Sequence, residues 1–437
     1  VKSVIEKYND YVITNVVKAV KPIVIERASG ATVIDSAGNQ YVDCFAGISV
    51  VNAGHCNPEV IAAAHEQMSR LVHCCSYLYH VEAVANLAEK LAAITPGDLK
   101  KTFFANSGAE AVEGAIKLAR LYTGKSEIVA LTTSFHGRTW MASSITGNAS
   151  RKRGGAPYAP GVAFAPAPYA FRSKTTNGDE LAKECARALE DVLRFCTSGD
   201  VAAFIAEPVL GEGGIIVPPP NYFTEVKKVL DEHGILFIAD EVQSGFGRTG
   251  TMFAIEDYGV EPDILVTAKG IANGFPLGAF TTRDEIAGAF LPGDHLSTFG
   301  GNPVSCAAAT ANIDFLLREN LPAKAQLDGE YLREELQKLQ AQFPLIGEVR
   351  GKGLMIGIEL VTEDGITPAA QQAEAVGRYC FEHGLLVGVG GIYSNIVRIQ
   401  PPLVITRQQI AFALEVLARA LTAVSEAHSP QLVTAQN

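Results

Sequence analysis

The segment Asp263–Gly278, "DILVTAKGIANGFPLG", carries the decisive feature of the chain. An apolar run, Ile264–Val266, delivers a lysine, Lys269, and Gly270, Gly274 and Gly278 follow closely. Lysine is strongly hydrated and ordinarily keeps its charge in water on a helix surface. Where an apolar strand ends, it is either a solvated loop residue or an amine held inside a site for chemistry. For any single lysine the first reading is the default. It yields only if neighbouring segments supply a site.

Working outward, the middle of the chain alternates strand-like and helical runs. "KTFFANSG" is followed by "AEAVEGAIKLARLYTG", where Val112, Ala115, Ile116 and Ala119 recur at the spacing of one helix face. Then come "EIVALTTSFHG", "VAAFIAEPV", "GILFIADEV", "DILVTAKG" and "GAFTT", with helical segments such as "NYFTEVKKVLDEHG" between some of them. Continuous apolar runs of this kind predict a central, mainly parallel sheet buried on both faces. Ligands bind such sheets beyond the carboxyl ends of the strands. Here those ends carry Asn106–Gly108, Phe135–Gly137, Glu207–Pro208, Asp240–Glu241 and Lys269–Gly270.

The texture changes near residue 320. "DGEYLREELQKLQAQFP" reads as an amphipathic helix, "GEVRGKGLMIGIELV" as β-structure, Ala370–Glu382 as a further helix, and "LLVGVGG" and "NIVRIQPPLVIT" as strands. The expectation is a large domain over residues 60–320, with 1–59 and 321–437 forming an N-terminal segment and a smaller α+β domain. The N-terminal part contains a hairpin pattern, "ATVIDSAGNQYVDC", turning at Gly38–Asn39, and is expected to pack with the C-terminal part. The tail "SEAHSPQLVTAQN" reads as expendable.

A chain of 437 residues exceeds one compact core, which implies two or three domains. With 48% hydrophobic and 19% charged residues, little of it is expected to be disordered. The net charge of −11 argues against nucleic acid as a partner. No apolar run reaches membrane-spanning length, and the N-terminal segment, with Lys2, Glu6, Lys7 and Asp10, lacks a signal-peptide core. A cytoplasmic protein with no membrane partner is expected. Eight scattered cysteines without CxxC, and nine histidines without HExxH, predict no metal site.

Two chemistries compete for the strand ends. "YTGKSE" offers a phosphate-loop lysine and Asp240–Glu241 a magnesium site, but Ala119 occupies the place of the loop's first glycine, and Ser126 leads into a strand rather than a helix. The other reading pairs Lys269 with Asp240. A strand-end amine can hold pyridoxal phosphate as a Schiff base, and a carboxylate at the pyridine nitrogen keeps the ring an electron sink. "NSGAEAVE" opens a helix whose N-terminus suits the phosphate, and Phe135 can stack on the ring. Singly, Asp240 is an ordinary ion pair, Ser107–Gly108 a helix cap and Phe135 a core residue. Jointly, in this order and at strand ends, they describe a cofactor site.

The same residues carry a family resemblance. "NSGAEAVEGAIKLAR", "EPVLGEGG", "GILFIADEVQSGFGRTG", "PDILVTAKGIANGFPLGAF" and "STFGGNP" resemble the class III aminotransferases, from "YVDCFAGISVVNAGHCNPEV" through "NIVRIQPPLVIT". The resemblance implies the α/β fold of type I pyridoxal phosphate enzymes, with a mainly parallel seven-stranded sheet in the large domain. It also implies a homodimer, or a dimer of dimers, with active sites between subunits. By resemblance Lys269 binds the cofactor and, once released, moves the substrate proton. Asp240 holds the ring nitrogen and Gln243 the ring hydroxyl. Ser107, Gly108 and Ala109 take the phosphate, joined by Thr298 of the other subunit. Phe135 and Val242 sandwich the ring, with His136 and Glu207 completing the pocket. Many relatives carry tyrosine where Phe135 stands.

Within the class, the sequence is most similar to the 4-aminobutyrate type, which passes an amino group from an ω-amino acid to 2-oxoglutarate. Arg138, in "FHGRTW", matches the arginine for the distal carboxylate, and Arg398, in "NIVRIQPP", the one for the α-carboxylate of the keto acid. Arginine binds each carboxylate bidentately. Glu207 is expected to neutralise Arg398 when the donor lacks an α-carboxylate, and Ile48 and Glu212 fall at substrate-pocket positions. Alanine–glyoxylate aminotransferases and amino-acid racemases of the same fold are the alternatives, and a PLP-fold binding module without activity is the non-enzyme one.

Overall fold

The apolar runs assemble into a seven-stranded sheet in the spatial order Lys101–Ala105, Gly278–Thr282, Ile264–Thr267, Leu236–Asp240, Val201–Ala206, Glu127–Leu131, Val162–Ala165. The structure, a computed structural model, describes residues 2–14, 16 and 20–428. Gly278–Thr282 runs antiparallel to both its neighbours, and the other strands are mutually parallel. The edge strand Val162–Ala165 is too short and too ordinary in composition to stand out in the sequence. Every residue of Val201–Ala206, Leu236–Asp240 and Ile264–Thr267 is buried, which is why these strands read as unbroken apolar runs.

The period of two along each strand divides its side chains between two layers of helices. Ile205, Ile238, Ile264 and Val266 pack with Val112, Ala115, Ile116 and Ala119 of the helix Gly108–Thr123. Phe204, Phe237, Ala239 and Leu265 join a core that includes Leu181 and Leu189 of the helix Gly178–Phe195 and Phe223 of the helix Tyr222–His233. Two-sided burial fixes the register, so the strand ends meet along one edge.

A second sheet contains Ile346–Lys352, Met355–Leu360, Ile396–Ile399 and Gly388–Gly390, with the helix Ala370–Glu382 in the same region of the chain. The N-terminal hairpin forms as its pattern predicts, with Thr32–Asp35 against Gln40–Asp43 and Gly38 at φ 88°. It pairs in parallel with Leu385–Leu386, joining the two ends of the chain. The last helix, Arg407–His428, includes the first residues of the expected tail, and the rest of that tail lies outside the described residues. No helix among the described residues is long and apolar enough to cross a membrane.

Candidate active site

The strand ends open into a cavity of about 330 Å³ lined by Ser107, Gly108, Ala109, Phe135, His136, Glu207, Asp240, Val242, Gln243 and Lys269, among others. These ten come from five separate segments of sequence, and all were singled out in the sequence for a cofactor pocket. Val50, Phe275 and Leu277 also line it. As apolar residues in loops they carry no signal that separates them from ordinary packing.

Asp240 ends its strand with Val266 of the neighbouring strand directly opposite, three residues before Lys269. Its Oδ1 accepts the Val242 N–H at 3.1 Å, and its Oδ2 lies 2.7 Å from Nδ1 of the buried His136. That contact fixes the carboxylate's orientation. Lys269 sits at φ 47°, a left-handed conformation that costs a side-chain-bearing residue about 1–2 kcal/mol. Burial lowers the proton affinity of its amine, opposed by the charges of Asp240, Glu207 and Glu212. Strain and a destabilised ammonium at a strand end are hard to explain for a loop lysine. They suit an amine kept reactive.

Ser107 caps the helix Gly108–Thr123, its hydroxyl accepting the Glu110 N–H at 3.3 Å. The N–H groups of Gly108 and Ala109, at the start of that helix, have no intrahelical partner, and both residues line the cavity. Gly108 meets the side chains of Val242 and Ala268, and Gly278 backs onto the Ser107 backbone so closely that a Cβ would collide with the Ser107 carbonyl. Part of the glycine pattern after Lys269 thus serves to bring the turn at Ser107 against the sheet.

Glu207 is buried and accepts the N–H groups of Phe135 and Gly211, each at 2.9 Å. Burial pushes its carboxyl up to about 7. It does not pair with Arg398. The carboxylate on Arg398 is Glu212, whose Oε2 accepts from Nη1 at 2.6 Å. Glu207, expected to neutralise Arg398 with a donor bound, here has both oxygens on backbone N–H groups. Glu212 also pairs with Arg151, a residue that a run of three basic side chains, Arg151–Arg153, disguised as a solvated surface. Arg398 is buried with its guanidinium carbon 5.5 Å from the centre of the Phe45 ring.

Five expected residues do not line the cavity of this chain: the paired Glu212 and Arg398, and Thr298, Ile48 and Arg138. Thr298 is exposed. Ile48 is also exposed, in a run from Ala46 to Ser49 with positive φ at every residue. Arg138 is exposed, its guanidinium carbon 5.4 Å from the centre of the Phe135 ring, which places it beside the cavity wall.

The pocket fits pyridoxal phosphate on observations independent of the motifs. Gln243 Nε2 is buried without a partner, a donor in want of an acceptor such as a ring oxygen. A free helix N-terminus, a glycine floor, an amine and an oriented carboxylate surround the same volume.

Comparison with known proteins agrees. The family model "Aminotransferase class-III" matches residues 13–421. Acetylornithine aminotransferase of Methanothermobacter thermautotrophicus is 43% identical, over 92% of this chain and 94% of its own length. The 5-aminovalerate aminotransferase DavT of Pseudomonas aeruginosa is 40% identical, over 91% and 93%. An aminotransferase of Bacillus anthracis superposes with a TM-score of 0.89 at 34% identity, covering 95% of this chain and 97% of that one. The chain belongs to the class III aminotransferases, enzymes that use pyridoxal phosphate.

Proposed function

We propose that this enzyme moves the amino group of an ω-amino acid, 4-aminobutyrate in the first instance, to 2-oxoglutarate in two half-reactions. The observation that carries the reading is the buried pair Arg398–Glu212. A guanidinium whose charge a movable carboxylate can cover serves an α-carboxylate when one arrives and is neutral toward a donor that lacks one. The similarity to a 5-aminovalerate aminotransferase supports this, since that donor is one methylene longer than 4-aminobutyrate.

Bound pyridoxal phosphate supplies an aldehyde for amine exchange and a ring that draws electrons from the substrate carbon. The chain supplies the rest. Lys269 Nζ, its charge disfavoured by burial, takes the proton from the carbon bearing the amino group and returns one in the second half-reaction. Asp240, aligned by His136, would hold a proton at the ring nitrogen. Gln243 Nε2 would donate to the ring oxygen, Phe135 and Val242 would flank the ring, and Gly108 and Ala109 would offer N–H groups to the phosphate. Arg138 takes the distal carboxylate at the mouth.

We further propose a homodimer in which Thr298 reaches the partner's phosphate. Thr298 lies among exposed apolar side chains, Leu296 and Phe299, and the Phe299 ring lies 5.2 Å from that of His73, tilted by 40°, beside exposed Val72. A contiguous patch of this kind marks an interface. Loss of cofactor affinity in Thr298→Ala, with sedimentation as a dimer, is the expected result; a monomer with full cofactor affinity contradicts it.

The first experiment adds 4-aminobutyrate, N-acetyl-L-ornithine or L-alanine to the yellow enzyme without keto acid. Bleaching by 4-aminobutyrate, reversed by 2-oxoglutarate, is expected. Bleaching by L-alanine alone transfers the assignment to the alanine–glyoxylate type, and a spectral change without lasting bleach transfers it to a racemase.

A further inference from the structure

Glu212 is shared between two arginines. Its Oε2 accepts from Arg398 Nη1 at 2.6 Å, and its Oε1 accepts from Arg151 Nη2. Neither guanidinium is used up. Arg398 Nε and Arg151 Nε are both buried and without a hydrogen-bond partner. On Arg151 the open Nε–H shares an edge of the guanidinium with the Nη2 that holds Glu212, and the two can grip one carboxylate together.

The backbone beneath Glu212 is fixed. Gly211 N–H is held by Glu207, Leu210 and Ile216 exchange hydrogen bonds, and Arg350 holds the carbonyls of Gly214 and Ile215. Any rearrangement is therefore confined to the Glu212 side chain. Arg151, at the end of the single turn Ala149–Arg151, has a side chain 32% exposed and free to follow it.

An α-carboxylate that takes Arg398 must displace Glu212. A mostly buried carboxylate stripped of a charged partner is costly. We propose that Arg151 is the positioning residue that receives Glu212 at that moment. The bond lost to Arg398 Nη1 is replaced by one to Arg151 Nε, so the count of charge-assisted hydrogen bonds is conserved while Arg398 Nη1 is freed for the substrate. The function of Arg151 is to make the exchange between donors with and without an α-carboxylate nearly balanced. This rests on the role given to Arg398 above.

The test uses the holoenzyme. Calorimetric titration with 2-oxoglutarate, in the absence of any amino donor, reports binding at Arg398. The bleaching rate with 4-aminobutyrate reports a ligand that leaves Glu212 in place. In Arg151→Gln the affinity for 2-oxoglutarate falls about tenfold, the loss of one charge-assisted hydrogen bond, while the 4-aminobutyrate rate stays within about twofold. Arg151→Lys, which keeps the charge without the fork, falls between. In Glu212→Gln there is no charge to receive, so adding Arg151→Gln weakens binding no further. Unchanged 2-oxoglutarate affinity in Arg151→Gln, equal weakening of both ligands, or an undiminished effect in the Glu212→Gln background overturns the proposal. Failure of the underlying reading is seen separately, as 2-oxoglutarate binding that survives Arg398→Ala.

Discussion

Replacing Gly108 by alanine tests the cofactor seat with a single methyl group. A Cβ at this position would lie 3.0 Å from both methyl carbons of Val242 and 3.5 Å from the Ala268 Cβ. Carbon atoms rest at about 3.5–4.0 Å, so Val242 must retreat by roughly half an ångström or more. The Val242 N–H is tied to Asp240 Oδ1, and the side chain lines the cavity. Retreat therefore means turning into the space of the ring or pulling on the carboxylate behind it. In the empty protein the side chain can turn at little cost, and alanine favours the helix over glycine by about 0.5–1 kcal/mol. With the ring in place the crowding costs about 1–3 kcal/mol. The expected result is a melting temperature of the cofactor-free protein equal to or above that of the wild type, with pyridoxal phosphate bound about 5- to 150-fold more weakly. The assay is a fluorescence titration of cofactor-free enzyme, with melts of both forms. Cofactor affinity within twofold of the wild type, or equal destabilisation of both forms, would refute the reasoning.

Other perturbations address the remaining parts of the site. Asp240→Asn leaves a neutral amide facing the ring nitrogen and is expected to reduce the half-reaction rate by about two orders of magnitude or more, measured by stopped-flow absorbance; near wild-type rates would show that the ring is protonated by another group. Arg398→Ala is expected to raise KM for 2-oxoglutarate at least tenfold more than KM for 4-aminobutyrate, and equal effects in steady-state assays would remove its assigned role. The buried carboxyls of Glu207 and Glu241 are both pushed up to about 7 by burial. The native state then holds their protons more tightly than the unfolded chain, so stability is greatest below about pH 4.5 for these groups and is lost as pH rises toward 7, on the order of 3 kcal/mol each. Glu212 and Glu359, held low by arginines, lose their contribution only below that window. Glu241→Gln keeps an acceptor for the Ile255 N–H and lets the Ser244 hydroxyl turn to accept. Urea midpoints at pH 5 and pH 7.5 should lie closer together in that variant than in the wild type, and an unchanged gap would contradict the assignment.

The sequence by itself determined which residues could share the cofactor pocket. Unbroken apolar runs specify strands buried on both faces, such strands must align, and residues that end them must meet. Asp240 ends a strand, and Glu207, Ser107, Lys269 and Phe135 follow one within four residues, so their convergence depends chiefly on backbone order. The glycines after Lys269 were also legible as punctuation, although only the contact of Gly278 with Ser107 shows what they make room for. The partners of the long charged side chains were decided only in three dimensions. Glu207 and Glu212 lie five residues apart in one motif, and either could neutralise an arginine 186 or more positions away. The backbone N–H groups of Phe135 and Gly211 claim Glu207 and leave Glu212 for Arg398. Arg151 and Arg138 illustrate the same limit: one basic residue from a surface-like run reaches the buried pair, while a motif arginine stands exposed beside Phe135. Local periodicity encodes where the chain goes. Which end of a flexible side chain finds a partner depends on distances that only the packed structure sets.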